Sequence, residues 1–193
     1  MLKLRKTDGT PCSYFAAQND HLDVLRYIIQ EGGKDLLEQV DDGRRSCAYA
    51  ASQTGQLEVL KFIVESGGKR QLMTERGSSC AFVAYENGQT DVFKYIVKQG
   101  GVDLLRIVNG DGVSCAFLAC QKGDLELLQY MVKEAGRMEG KELLKFANSD
   151  GVTCAFLACE RGDLPMLKFI VESGGKQLLK EVDKDRHSCA LIA

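Results

Sequence analysis

The chain is expected to fold as an all-α repeat solenoid, in which stacked helix-turn-helix units are joined by hairpin loops. Three observations predict it. Six cysteines, Cys12, Cys47, Cys80, Cys115, Cys154 and Cys189, are separated by 35, 33, 35, 39 and 35 residues, the near-fixed period of a repeat architecture. The residues around them recur as RRSCAYAA, GSSCAFVA, GVSCAFLA, GVTCAFLA and RHSCALIA, with a looser first copy, GTPCSYFA. Of the twenty glycines, five precede the cysteine, four stand at a mid-repeat turn and nine at the repeat's end. Glycine here punctuates the chain rather than loosening it.

Each unit is read in order as helix, turn, helix, turn. Ser46, Ser79, Ser114, Thr153 and Ser188, one before the cysteine, suit an N-cap whose hydroxyl accepts a hydrogen bond from a free N–H of the first turn. A short first helix follows. Eight residues after the cysteine comes Asp20, Gly55, Gly88, Gly123 or Gly162, and glycine there can take the positive φ that ends a helix. Asp124 and Asp163 then N-cap the second helix. Its first turn carries Asp23, Glu58, Asp91 or Glu126, which the helix dipole favours, while Pro165 is tolerated there for want of an intrahelical acceptor. The body of the second helix is apolar at five positions of six, as in Val59, Leu60, Phe62, Ile63 and Val64. Such a stripe is too wide for one neighbour, so each second helix must be covered on two sides, as stacked units require. A Leu-Leu pair after the double glycine (Leu36-Leu37, Leu104-Leu105, Leu143-Leu144, Leu178-Leu179, with Leu72-Met73 in the second unit) is read as an extra turn beneath the hairpin. The connectors V-D-D-G, V-N-G-D-G, N-S-D-G and V-D-K-D carry the chemistry of tight turns.

Composition agrees with a folded, soluble protein. Among 193 residues, 25 Lys and Arg balance 27 Asp and Glu for a formal net charge of −2, and 45% of residues are apolar. A charge so even supplies no basic stripe for phosphate backbones or anionic lipid. Neither nucleic acid nor a membrane is expected as a partner. The N-terminal MLKLRKTDGT has no apolar segment after its cations, unlike a secretory signal, and no apolar run approaches the ~20 residues of a spanning helix. Eight cysteines in such a chain read as reduced thiols, which places it in the cytoplasm or nucleus.

Copy four, GVSCAFLACQKGDLELLQYMVKEAG from Gly112 to Gly136, resembles the ankyrin repeat, whose consensus runs Gly-x-Thr-Pro-Leu-His-x-Ala-Ala-x-x-Gly-His-Leu-Glu-Val-Val-Lys-Leu-Leu-Leu. About five and a half copies cover nearly the whole chain, as one array with repeats at 7–40, 41–74, 75–108, 109–147 and 148–182 and a partial copy at 183–193. One departure is systematic. Ser/Thr-Cys-Ala-aromatic replaces Thr-Pro-Leu-His, so Tyr14, Tyr49, Phe82, Phe117, Phe156 and Leu191 stand where the family has a buried histidine, and aromatic packing is expected to substitute for its hydrogen bonds. Four further residues are inserted near Arg137 to Gly140. His21 occupies the family's histidine position before the second helix and reads as a turn residue.

A cysteine at the first helical position faces free N–H groups that could favour a thiolate, which makes a cysteine-based redox sensor an alternative function. Stacked units lie roughly 8 to 10 Å apart and a disulfide needs Cα atoms within ~7 Å, so equivalent cysteines are not expected to bridge; each reads as a small apolar filler. Cys115/Cys120 and Cys154/Cys159 point about 140° apart on a helix and make poor joint ligands. With no C-x-x-C and only His21 and His187, no metal site is expected. The N-x-D-G and D-x-D segments resemble the start of a calcium loop but lack its closing Glu, so they read as turns. No P-loop, G-x-G-x-x-G, G-x-S-x-G or H-E-x-x-H occurs. Neither an enzyme nor a cofactor is expected.

The resemblance implies a non-catalytic scaffold for protein-protein interaction, likewise expected to be a monomer, that binds a partner on a concave, hairpin-bearing face. Carried over by position, the binding residues are Asp42, Arg45, Glu75, Arg76, Ser78, Asp111, Val113, Asp150, Val152 and His187 on the hairpin tips. On the first-helix ends they are Gln53, Thr54, Glu86, Asn87, Gln121, Lys122, Glu160 and Arg161. These positions vary between copies while the framework recurs, and Arg45, Arg76 and Arg161 are the expected anchors because arginine is enriched at hot spots. The sixth copy stops after SCALIA with Leu191 and Ile192 lacking a polar cap, which gives a second alternative: a fragment of a larger protein with its effector module elsewhere.

Overall fold

The computed structural model describes residues 9–73 and 79–188. Among these, ten α-helices follow one another in the predicted order: α1 (Cys12–Gln18), α2 (Leu22–Gly32), α3 (Cys47–Thr54), α4 (Leu57–Glu65), α5 (Cys80–Glu86), α6 (Thr90–Gly100), α7 (Cys115–Lys122), α8 (Leu125–Leu143), α9 (Cys154–Glu160) and α10 (Leu164–Gly174). Odd-numbered helices open the repeats and even-numbered ones close them. The chain divides into two compact units, Met1–Leu104 and Leu105–Ala193. The partial sixth copy from Cys189, with Leu191 and Ile192, lies outside the described residues.

The first helices begin where their caps direct. Ser46, Ser79, Ser114 and Thr153 each accept from the backbone N–H three residues on, at 3.1 to 3.3 Å, a bond worth ~1 kcal/mol. The first copy has Pro11 at this position and makes no such bond. Asp124 and Asp163 cap α8 and α10 in the same way through Leu127 and Met166, both at 3.0 Å. Between the helices the chain turns at a positive φ, 74° at Gly123 for example, and in the first copy Asp20 adopts φ 60° instead.

The Leu-Leu pairs form the expected extra turn, a 3-10 segment at Lys34–Leu36, Gly68–Leu72, Val102–Arg106 and Lys176–Lys180. Copy four differs. Gly136 breaks α8 with φ 72°, ψ 171°, and the chain then continues as α-helix to Leu143. The four inserted residues supply the turn that makes this possible, and Leu143 and Leu144 remain fully buried. Exposed Met138, at 77%, sits on the insertion.

The core runs between first and second helices. In the first unit it is built on Leu25, Leu37, Leu60, Ile63, Leu72, Phe93 and Ile96, and in the second on Leu128, Met131, Leu143, Met166, Ile170 and Leu178, all inaccessible to solvent. Of the aromatics that stand in the histidine position, Tyr14, Phe82 and Phe117 are buried and Tyr49 and Phe156 half-buried; Leu191 is outside the described residues. Cys47 and Cys80, at the heads of their first helices, plug against the preceding extra turn. Cys47 Sγ lies 3.4 Å from the Leu37 carbonyl and 3.3 Å from Gln71 Oε1, and Cys80 Sγ donates to the Gln71 carbonyl at 3.3 Å.

Candidate functional site

The predicted surface is built on hairpins whose first residue closes the turn. In the second unit, Asn109 Oδ1 accepts from the N–H of Asp111 and Val113 at 3.0 and 2.9 Å, and Asn148 does the same for Asp150 and Val152. Asp183 repeats the pattern with Asp185 and His187. Antiparallel bridges Ala147–Thr153 and Val182–Ser188 close the hairpin bases.

Successive tips are fastened together. The Ser149 N–H donates to the Asp111 carbonyl at 2.8 Å, and the Lys184 N–H to the Asp150 carbonyl at 2.9 Å. Gly112 and Gly151 permit this approach: a Cβ on Gly112 would lie 2.9 Å from the Ser149 nitrogen, and one on Gly151 3.2 Å from Asp183 Cα. The framework bonds are made by backbone and by the Asn or Asp side chain at the turn's first position. Consequently the carboxylates of Asp111 and Asp150 stand out from the row, exposed, with Lys184 Nζ 3.5 Å from Asp150 Oδ1. Val113 and Val152 are half-buried supports of the tips.

At the first-helix ends of the same unit, Gln121, Lys122, Glu160 and Arg161 are all exposed. Arg161 is partly committed. Its Nη1 donates to the Gln121 carbonyl at 3.0 Å, which ties the end of α9 to the end of α7. In the first unit, Thr54 Oγ1 and Asn87 Nδ2 turn back to the carbonyls of Ala50 and Val83 in their own helices. Gln53 is half-buried and Glu86 exposed.

Arg45, an expected anchor, is also spoken for. Asp41, buried beneath it, accepts from Arg45 Nε at 2.7 Å, and the guanidinium lies 5.7 Å from the centre of the Tyr14 ring. The hydrogen bond to Asp41 raises the Arg45 pKa further, against the opposing effect of burial. Asp42 next to it is exposed. Glu75, Arg76 and Ser78 lie outside the described residues.

Sequence reasoning missed three features. Lys184 was passed over because it falls one residue before the position carried over from the family, yet it is an exposed cation of the tip row, beside Asp150. A cleft of about 510 Å³ in the first unit is lined by Glu38, Val40, Arg44, Ser46, Arg70, Gln71 and Met73; only the folded chain brings these segments together. Third, the non-equivalent thiols of Cys120 and Cys154 meet through a side-chain hydrogen bond between α7 and α9. That bond, with burial, raises the Cys120 pKa. Burial likewise pushes the thiols of Cys47, Cys80 and Cys115 up to about 12, the opposite of an activated thiolate.

Among the described residues one group has the donor types for a metal ion, Asp183, Asp185 and His187, with ligand atoms within 4.8 Å of one another. Its central carboxylate is already engaged. Asp183 Oδ1 accepts from two backbone N–H groups and Oδ2 lies 3.1 Å from His187 Nδ1. Among the described helices none is long and apolar enough to cross a membrane.

Paired helices closed by hairpins, repeated at this period, define a helical repeat solenoid. The sequence matches the family models for ankyrin repeats over residues 13–64, 48–142 and 81–182, and the chain belongs to the ankyrin repeat family. Two solved structures share the fold. One is the ankyrin repeat domain of Bcl-3, described as a unique member of the IkappaB protein family, at 16% identity and TM-score 0.79, over 100% of this chain and 82% of that one. The other is the Bd0816 predatory endopeptidase from Bdellovibrio bacteriovorus in complex with immunity protein Bd3460, at 20% identity and TM-score 0.76, over 98% of this chain and 91% of that one. No curated protein matches the sequence.

Proposed function

We propose that this chain is a non-catalytic module that binds another protein through its hairpin tips and first-helix ends, as a single array working in the cytoplasm or nucleus. The observation that carries the reading is the tip row. Backbone bonds between neighbouring hairpins fix the spacing of the backbone at Asp111, Asp150 and Lys184, so the hairpins that carry these side chains meet a partner already ordered, which lowers the entropic cost of association. The exposed ends of α7 and α9 add Gln121, Lys122 and Glu160, giving a polar surface of both signs. Charge of mixed sign selects a partner by complementarity more than it adds raw affinity. Seven free thiols among the described residues fit a reducing compartment. The neighbours' names point the same way, since one structure is a complex with an immunity protein.

Arg45 and Arg161 are poor probes of this surface because each also holds the fold. The test is affinity capture from a cytosolic extract with the intact chain beside an Asp111→Lys, Lys122→Glu, Glu160→Lys variant shown to be folded by circular dichroism. A specific protein retained by the first and lost by the second is expected. Retention of the same protein by both would move the binding surface elsewhere.

A further inference from the structure

Within each unit the second helices meet one another by a fixed register, and among the described residues two faces of that register are uncovered. Counting from the first helical residue, the third position is an aliphatic, the fifth a cation in most copies and the sixth an aromatic: Val24, Arg26 and Tyr27 in α2, Val59, Lys61 and Phe62 in α4, Val92, Lys94 and Tyr95 in α6, Met166, Lys168 and Phe169 in α10. In the first unit the Arg26 guanidinium lies 4.7 Å from the centre of the Phe62 ring. Lys61 lies within electrostatic reach of Tyr95 in the same sense. In this unit the fifth-position cation of one helix therefore faces the sixth-position aromatic of the next. Coverage of the third position follows the same direction, with Val59, Val92 and Met166 buried to 2% exposure or less.

Val24 and Tyr27 of α2 are the exceptions, exposed at 48% and 64%. They are the knobs of a contact whose receiving half is not provided by any described helix. On α10 the receiving half is present, and no described helix fills it. Leu164, at the first position, is 57% exposed, and with Leu167, Lys168, Val171, Glu172 and Leu179 it lines a mostly apolar groove of about 220 Å³.

We infer that the α10 groove receives the α2 face of a second copy of this chain, with Val24 and Tyr27 seated among Leu164, Leu167 and Val171. Lys168 stands at the fifth position and so meets the sixth-position ring of Tyr27, as Arg26 meets Phe62. A cation over an aromatic face is attracted by the ring's quadrupole, more strongly the drier the site. The two faces differ, so the contact is heterologous and chains join head to tail. This replaces the expectation of a monomer with association that grows with concentration, and it uses none of the hairpin-tip residues of the partner-binding reading.

Sedimentation velocity over about 1 to 300 µM, a span that brackets micromolar contacts, tests it. The expected result is an average mass that rises above the 21.2 kDa of one chain as concentration increases. Tyr27→Glu and Leu164→Glu, both at exposed positions, should each weaken association at least about tenfold while leaving the circular dichroism spectrum unchanged. An equimolar mixture of the two variants retains one intact pair of faces, so it should recover association and stop at two chains. A constant mass of 21.2 kDa, loss of association in only one of the variants, or a mixture that stays monomeric would each overturn the proposal. Loss in only one variant would mean that a face pairs with itself.

Discussion

Helices α2 and α4 have nearly the same sequence, LDVLRYIIQ and LEVLKFIVE, and opposite fates at the third residue: Val24 is 48% exposed and Val59 not at all. The difference is the neighbour. Helix α4 has α2 before it and α6 after it in the same unit, whereas among the described residues no second helix of a repeat precedes α2. In a repeat protein the apolar stripe states only what a helix is able to bury, and stacking decides what it does bury. The same contrast appears in the tips. Gly112 and Gly151 each have the next hairpin's backbone against them. At the equivalent place in the last described hairpin stands Arg186, with φ 64°, and no further hairpin follows it among the described residues.

The largest test of the comparison is a pair of truncations at the third position. Leu127, 3% exposed, is expected to cost about 2 to 5 kcal/mol as Leu127→Ala, the transfer and cavity penalty of an interior leucine. Val24→Ala, on the open face, is expected to change stability by no more than about 0.5 kcal/mol. Urea unfolding of both variants decides it. A cost for Val24→Ala near that of Leu127→Ala would show that the α2 face is covered in the free chain.

Much of this was legible beforehand, for a local reason. Caps, glycine turns and the second-helix stripe are set by residues within a few positions of one another, so Ser114, Gly123 and Asp124 could be placed by inspection. The recurrence of the Leu-Leu pair disclosed the extra turns as well. What escaped was set by partners far apart in the chain: Arg161 reaching back 40 residues to the Gln121 carbonyl, and Cys120 meeting Cys154. The period identified which positions are equivalent, and for that reason it drew attention to Cys115 and Cys154 as a stacked pair when the thiols that touch are non-equivalent. The insertion at Arg137 to Gly140 was visible, but whether it would loop out or extend a helix depended on how Leu143 and Leu144 reach the core.

The tip contrast yields the next effect. Gly151→Ala puts a Cβ at φ 81°, a left-handed conformation that costs an L-residue about 1 to 2 kcal/mol, and presses it on the Asp183 backbone as well. Its expected cost is about 2 kcal/mol on those grounds, read from urea midpoints. Arg186→Gly should act in reverse, relieving the left-handed strain and stabilising by up to about 1 kcal/mol. If Gly151→Ala were neutral, close approach of the hairpins would not be what holds the tip row.

The smallest effect concerns the interior thiols and is read from its pH dependence. Burial holds the Cys115 thiol protonated up to about 12, against 9.0 for the unperturbed group. Between those values the unfolded chain loses its thiol proton and the folded chain keeps it, so the unfolded state is the one stabilised as pH rises. Stability should therefore be unaffected by this thiol below pH 9 and fall above it, by about 1.4 kcal/mol for each pH unit. Tyrosines also titrate in this range, and the comparison that isolates the thiol is wild type against Cys115→Ala, each unfolded in urea at pH 8 and pH 10. The variant should be the less stable at pH 8, through its lost packing, and should lose less on going to pH 10. Equal losses in the two proteins would mean that Cys115 ionises in the folded chain as readily as in the unfolded one, and the thiol-sensor alternative would then regain the support that burial removes from it.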